Sequence, residues 1–241
     1  MRVMNNFKKG TAALILTSVL ASAGGAHAQD GEGPDEFGDE HQLVLATERI
    51  FGYVHSSQTQ TVAGMDQTVD VDSFSIFSSP LSIATIYSAP RLALDYFVAE
   101  RFSIGLAASY FRITQDAPDS PNAFEPKYTG FLFAPRAGYV VPVSPVVAFW
   151  PRLGFTVMNL ELSTTSGTFG TSSSSSTLYA LTIEAPLVLT IAPHVFLALA
   201  PTLDLGLGGS DEDTTAGVGS TSSIDTKATS FGLQFALGGY F

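Results

Sequence analysis

The sequence predicts an all-β chain, an eight-stranded antiparallel up-and-down transmembrane β-barrel. Three observations carry that expectation. Apolar residues recur with a period of two through most of the chain, the side-chain repeat of a strand. The opposite face of those segments is small, polar or charged, and rich in Gly, Ala and Ser rather than the Lys, Glu and Thr of a solvated sheet. Small residues suit a narrow interior, so the bulky face turns outward to lipid. The chain is also apolar yet poor in charge: 45% hydrophobic, mean hydropathy +0.25 and 14% charged, against roughly 25% in soluble domains.

Composition excludes several functions. With 11 Lys and Arg against 22 Asp and Glu, nothing could neutralise a row of phosphates, so nucleic acid is no partner. The absence of Cys removes disulfide scaffolds, thiol catalysis and thiolate metal sites. Eighteen Phe and eight Tyr argue against global disorder.

Arg2, Lys8 and Lys9 precede the apolar run Thr11–Ala23, and Ala26-His27-Ala28 supplies small residues at a cleavage point. These features predict a signal peptide over 1–28. The run is too short for a helical anchor, which needs about 20 residues. Cleavage removes three basic residues, so eight Lys and Arg face 22 acids, a net charge of −14. Residues 29–42 (QDGEGPDEFGDEHQ) are acidic and nearly free of apolar side chains. They are expected to form a flexible periplasmic tail before a barrel over 43–241.

The expected strands are 43–56, 88–98, 101–112, 129–141, 146–160, 178–191, 195–208 and 227–241. The first carries Glu48 at inward parity, and the second Arg91 and Asp95. In the third, Phe102, Ile104, Leu106 and Tyr110 oppose Ser103, Gly105 and Ser109. In the fourth, Phe131, Phe133, Tyr139 and Val141 oppose Ala134, Arg136 and Gly138, and the fifth turns Arg152 inward. In the sixth, Tyr179, Leu181, Ile183 and Leu187 oppose Ala180, Thr182 and Glu184. In the seventh, Leu197, Leu199, Leu203 and Leu205 oppose Ala198, Thr202 and Asp204. In the last, Phe231, Leu233, Phe235, Leu237 and Phe241 oppose Gly232, Gln234, Ala236, Gly238 and Tyr240.

Short connections at 98–101, 142–145 and 192–194 alternate with long ones at 57–87, 113–128, 161–177 and 209–226, as in barrels with short periplasmic turns and longer outer loops. The even strand count puts both termini on the periplasmic side. Leu178–Leu207 could also be read as two membrane helices. Glu184 and Asp204 would then sit at membrane depth, with Pro186 and Pro201 inside the helices, at considerable cost.

The signal peptide, the eight amphipathic segments and the terminal Gly239-Tyr240-Phe241 resemble small bacterial outer-membrane β-barrels of the OmpA/OmpX type. The resemblance implies residence in the bacterial outer membrane among its lipid. It also implies recognition of the last strand by the barrel-assembly machinery, through Phe231, Leu233, Phe235, Leu237, Tyr240 and Phe241.

Parity assigns Arg91, Asp95, Arg136, Arg152, Glu184 and Asp204 to one lumen charge network, with Glu48 a further candidate. Pro-Arg pairs recur at 90–91, 135–136 and 151–152, each with Pro outward, and a bulge or bend is expected there because proline lacks a ladder donor. A turn centred between 143 and 144 makes partners sum to 287, placing 136 opposite 151. The next turn gives 387, placing Pro186 beside Pro201 and Glu184 near Asp204. Arg can bridge two carboxylates at once. The network reads either as a packed plug or as a narrow conduit, and eight strands leave a lumen that side chains fill.

The outer loops are expected to be Ser/Thr/Gly-rich, with Asp211-Glu212-Asp213 a solvated acidic turn and not a metal site, since Ca²⁺-loop spacing is absent. A rim hydrolase would have to use His55, but no nucleophile and orienting carboxylate accompany it in sequence. The sequence therefore points to a non-enzymatic barrel without cofactor, of structural or surface-interaction role and with no ligand identifiable. A narrow channel for small solutes is the alternative, and a rim enzyme the third.

Overall fold

The structure, a computed structural model, describes residues 36–62, 65–76, 89–114, 124–166, 170–215 and 221–241. The expected signal peptide, the first part of the expected tail and the last part of the long connection 57–87 lie outside these residues. Twelve strands follow in order: β1 Leu43–Val62, β2 Met65–Ile76, β3 Arg91–Ala99, β4 Phe102–Thr114, β5 Phe124–Tyr139, β6 Val141–Ser144, β7 Val147–Phe149, β8 Arg152–Ser166, β9 Gly170–Glu184, β10 Leu187–Ala192, β11 Val195–Thr215 and β12 Thr221–Tyr240. They make eight wall segments. β5 continues into β6, β7 into β8 and β9 into β10. β2 and β3 are the upper and lower parts of one segment, both beside β1.

Every pairing is antiparallel, and the sheet closes where β12 meets β1. Leu43 and Phe241 exchange both backbone hydrogen bonds at 2.9 Å, sealing the seam between the first and last strands. The wall is a closed eight-stranded antiparallel barrel with its bulky faces outward. Leu92, Leu94, Ile104, Phe131, Leu153, Ile183, Leu197, Phe231 and Leu233 are all exposed. Such a face is stable against hydrocarbon and not against water. Ala93, Ala107, Ala134, Ala180, Ala198 and Ala236 are buried inside.

Four features depart from the sequence expectation. Strands run on into the segments expected as loops. β11 has 21 residues and β1 and β12 have 20, where a tilted membrane crossing needs about 9–11. The wall therefore continues well beyond the apolar band, and Asp211–Asp213 lie in β11, not in a turn. The Ser/Thr-rich residues there alternate as readily as apolar ones, and both sides are paired.

The registers also differ. Partners of β5 and β8 sum to 290, so Arg136 faces Gly154 rather than 151. Partners of β10 and β11 sum to 386, and Ala185, not Pro186, bonds across to Pro201. The first turn falls at Pro145-Val146, two residues beyond the expected centre, so partners beside it sum to 291, and a one-residue irregularity between Pro142 and Ser144 brings the sum to 290; between Thr190 and Ala192 a like irregularity changes 387 to 386. The prolines mark interruptions of the strands at Trp150-Pro151 and Ala185-Pro186. There Pro151, Pro186 and Pro201 serve the ladder as acceptors, through their carbonyls, to Tyr139, Trp150 and Ala185.

The third departure is in the expected tail. Glu36–Gln42 fold against the turn end of the barrel, with Gly38 at φ 107° and Gln42 bonded through its side chain to the Gly38 amide. Composition missed this because one aromatic, Phe37, supplies the contact. The fourth is a bulge in β1 between Glu48 and Gly52, with Arg49 at φ 57°.

Candidate functional site: the charged layer of the lumen

The bulge decides what the site contains. Strict alternation would send Arg49 to lipid, on the opposite face from Glu48. The left-handed backbone at Arg49 keeps both inside. Among the described residues, four arginines (Arg49, Arg91, Arg136, Arg152) and four carboxylates (Glu48, Asp95, Glu184, Asp204) are buried. The layer is thus formally neutral, the condition under which charges persist away from water.

Arg136 is its hub. Its Nε and Nη2 bond Asp95 at 2.9 and 2.5 Å, Nη1 and Nη2 bond Glu48 at 2.6 and 2.9 Å, and Nη1 reaches Glu184 at 3.4 Å. Arg152 bridges Glu48 at 2.6 Å and Glu184 at 2.8 Å. It faces Glu184 directly in the β8–β9 register and lies 4.6 Å from the Trp150 ring centroid. Arg49 joins Asp204 at 2.9 Å to Glu184 at 3.1 Å. Asp204 also accepts from Thr182 at 2.7 Å and Ser230 at 3.1 Å. Arg91 is buried beside Arg136, Arg152 and Glu184. Glu184 and Asp204 are diagonal neighbours, opposite Thr202 and Thr182. Gly105 makes room for the cluster, because a Cβ there would land on the Asp95 carboxylate.

Below this layer, towards the turn end, Phe97, Trp150, Phe196 and Tyr240 are buried around Phe37. Above it the lumen becomes polar on one side, where Thr156 and Thr182 share a 2.7 Å hydrogen bond. Farther up, Asp211 accepts hydrogen bonds from Gln60 and Thr226. Leu132, Met158 and Leu178 are cross-strand neighbours on β5, β8 and β9, just beyond the threonine pair on the same side, and are buried. Among the described residues, two gaps beside the charged layer, one against Trp150 and Phe196 and one against Arg91 and Pro135, are each about the size of one water. Such a layer can tie the strands of the wall to one another across the lumen.

The remaining candidates lie elsewhere. His55 is on the outward face, its Nδ1 2.9 Å from Asp72, which also accepts from Tyr53 at 2.5 Å. Ser56 points inward and is buried. Sequence reasoning gave His55 no orienting carboxylate, since Asp72 arrives from β2 across the β1–β2 pairing. On β12, Phe231, Leu233, Leu237 and Phe241 are exposed outward, Phe235 stacks on Phe51 at 3.9 Å, and Tyr240 is buried at the turn end. Arg49 is the residue that sequence parity missed. The signal available was the cost of a guanidinium facing lipid, which demands an irregularity at that point.

No protein-family model matches the chain, and no curated protein does. Solved structures do. The outer-membrane protein AlkL, determined in lipid bilayers, is 11% identical; the match covers 89% of this chain and 97% of AlkL with a TM-score of 0.52. OprG from Pseudomonas aeruginosa is 12% identical over 85% of this chain and 99% of its own, with a TM-score of 0.41. Ail from Yersinia pestis is 12% identical over 83% and 99%, with a TM-score of 0.36. The fold is that of a small outer-membrane β-barrel.

Proposed function

We propose that this is an exported, integral protein of the bacterial outer membrane, with a structural or surface-interaction role and a lumen closed by design. The observation that carries the reading is the neutral layer of four arginines and four carboxylates, which spans the lumen and leaves gaps of about one water beside it. With the interior filled, the parts open to a partner are the lipid-facing wall and the strand-built extension beyond the apolar band. The termini lie on the periplasmic side, where the turns are short. Phe231, Leu233, Phe235, Leu237, Tyr240 and Phe241 form the strand that the assembly machinery would read. The protein is read as non-enzymatic: His55 and Asp72 are paired, but the adjacent Ser56 is turned into the barrel.

Planar-bilayer recording of the purified barrel tests the closed lumen. The expected trace shows no steady conductance steps. Reproducible steps from the wild type, abolished by a bulky substitution in the charged layer, would replace this reading with the channel alternative.

A further inference from the structure

The segment that precedes β1 makes contacts that neither the wall nor the charged layer explains. Phe37 enters the turn end of the barrel and meets four rings edge-on or tilted: Trp150 at 5.2 Å, Phe196 at 5.3 Å, Tyr240 at 5.5 Å and Phe97 at 5.8 Å between centroids. Those rings come from β3, the β7–β8 junction, β11 and β12, so they surround the lumen. Each is nearly inaccessible, at 0–3% exposure, while Phe37 itself is only partly buried. Aromatic groups in such edge-to-face sets gain beyond simple burial. The far wall of the ring set is the charged layer, through Arg152 over Trp150.

The segment lies outside the sheet. Besides the ring contacts, His41 Nδ1 lies 2.9 Å from the Tyr96 hydroxyl. The segment's backbone bonds to the barrel are Arg101 N–H to Gly38 at 2.7 Å, His41 N–H to Phe97 at 2.8 Å and Phe97 N–H to Gln42 at 2.9 Å. Glu36, Asp39 and Glu40 are exposed. A segment outside the ladder of a closed sheet can open locally at lower free energy than the sheet itself.

We propose that Glu36–Gln42 is a displaceable plug, and that Phe97, Trp150, Phe196 and Tyr240 form a socket for one aromatic or similarly sized apolar group, occupied in the resting protein by Phe37. The socket opens at the turn end and stops at the charged layer. Leaving it exposes a binding site without opening a path through the barrel.

Two measurements on the folded, full-length barrel in detergent test this. In amide hydrogen exchange, the amides of His41 and Arg101, which bond across the plug, should exchange together and at least about tenfold faster than those of Leu43 and Phe241 in the seam. Equal rates would mean that the plug leaves only when the barrel unfolds, and would overturn the proposal. The second uses Trp150, the single tryptophan of the chain. In the wild type its emission should resist acrylamide quenching. In Phe37→Ala, with the barrel shown intact by its heat-dependent gel mobility, quenching should rise severalfold and fall back when toluene is added. Quenching unchanged in Phe37→Ala, or a rise that toluene does not reverse, would show that the ring set is no socket.

Discussion

Substituting Arg136 by Met separates a working ion network from a collection of buried charges. Arg136 gives two hydrogen bonds to Asp95, two to Glu48 and a longer one to Glu184. Its removal is unequal in effect. Glu48 keeps Arg152, and Glu184 keeps both Arg152 and Arg49. Asp95 loses the pair that fixed both of its oxygens. Breaking a buried ion pair from one side costs about 3–5 kcal/mol, because a charge is left without compensation. Most of that cost should therefore reside on Asp95. Adding Asp95→Asn to Arg136→Met removes the stranded charge and should recover about half of the loss, roughly 1.5–2.5 kcal/mol. Adding Glu48→Gln instead should recover less, since Glu48 was still paired. The assay is reversible urea unfolding in lipid vesicles, followed by Trp150 emission. If Arg136→Met falls within about 1 kcal/mol of wild type, the typical size of a single ordinary hydrogen bond, the network reasoning fails. It fails also if Glu48→Gln rescues better than Asp95→Asn.

Two further outcomes follow from geometry already described. Gly105→Ala places a methyl on the Asp95 carboxylate and close to the Leu94 carbonyl, so it should destabilise the barrel by about 2 kcal/mol or more through displaced pairing; the same urea titration would reveal a neutral effect. Deleting Phe241 removes both seam hydrogen bonds to Leu43 together with the terminal aromatic, so membrane-inserted protein should fall severalfold against wild type at equal synthesis. Undiminished heat-modifiable barrel in the outer-membrane fraction would contradict this.

The fold was legible because a barrel wall is written locally. Each residue of a strand has one of two faces, and lipid outside with a narrow lumen inside demands opposite side chains on them. Phe231 to Phe241 and Phe102 to Tyr110 show this without reference to any distant residue. Parity also assigned Arg136, Arg152 and Glu184 to the inward face, where they are buried, although Arg152 and Glu184 stand beside the interruptions at Pro151 and Pro186. What escaped was non-local or irregular. Arg49 enters the lumen through a left-handed residue that breaks parity. The registers depended on where the first turn falls, at Pro145-Val146 and not between 143 and 144, and on one-residue irregularities beside the turns, neither of which changes composition. Strands beyond the apolar band were hidden because Ser and Thr alternate with nothing of contrasting polarity, as in Ser172–Thr177 of β9. The plug was hidden because a single Phe in an acidic stretch carries no periodicity at all.

The position of Phe37 has a consequence for the order of events in folding. Its four ring contacts come from residues 97, 150, 196 and 240, the last of them at the end of β12. None of the set exists as a ring until β12 has found β1 and the wall is shut. The segment leaves the ribosome before any strand, yet its place is created by the last strand to be made. Its docking is therefore a signal of closure: a barrel with a missing, swapped or misregistered terminal strand has nowhere to seat Phe37, and shows it at the end of the molecule first exported.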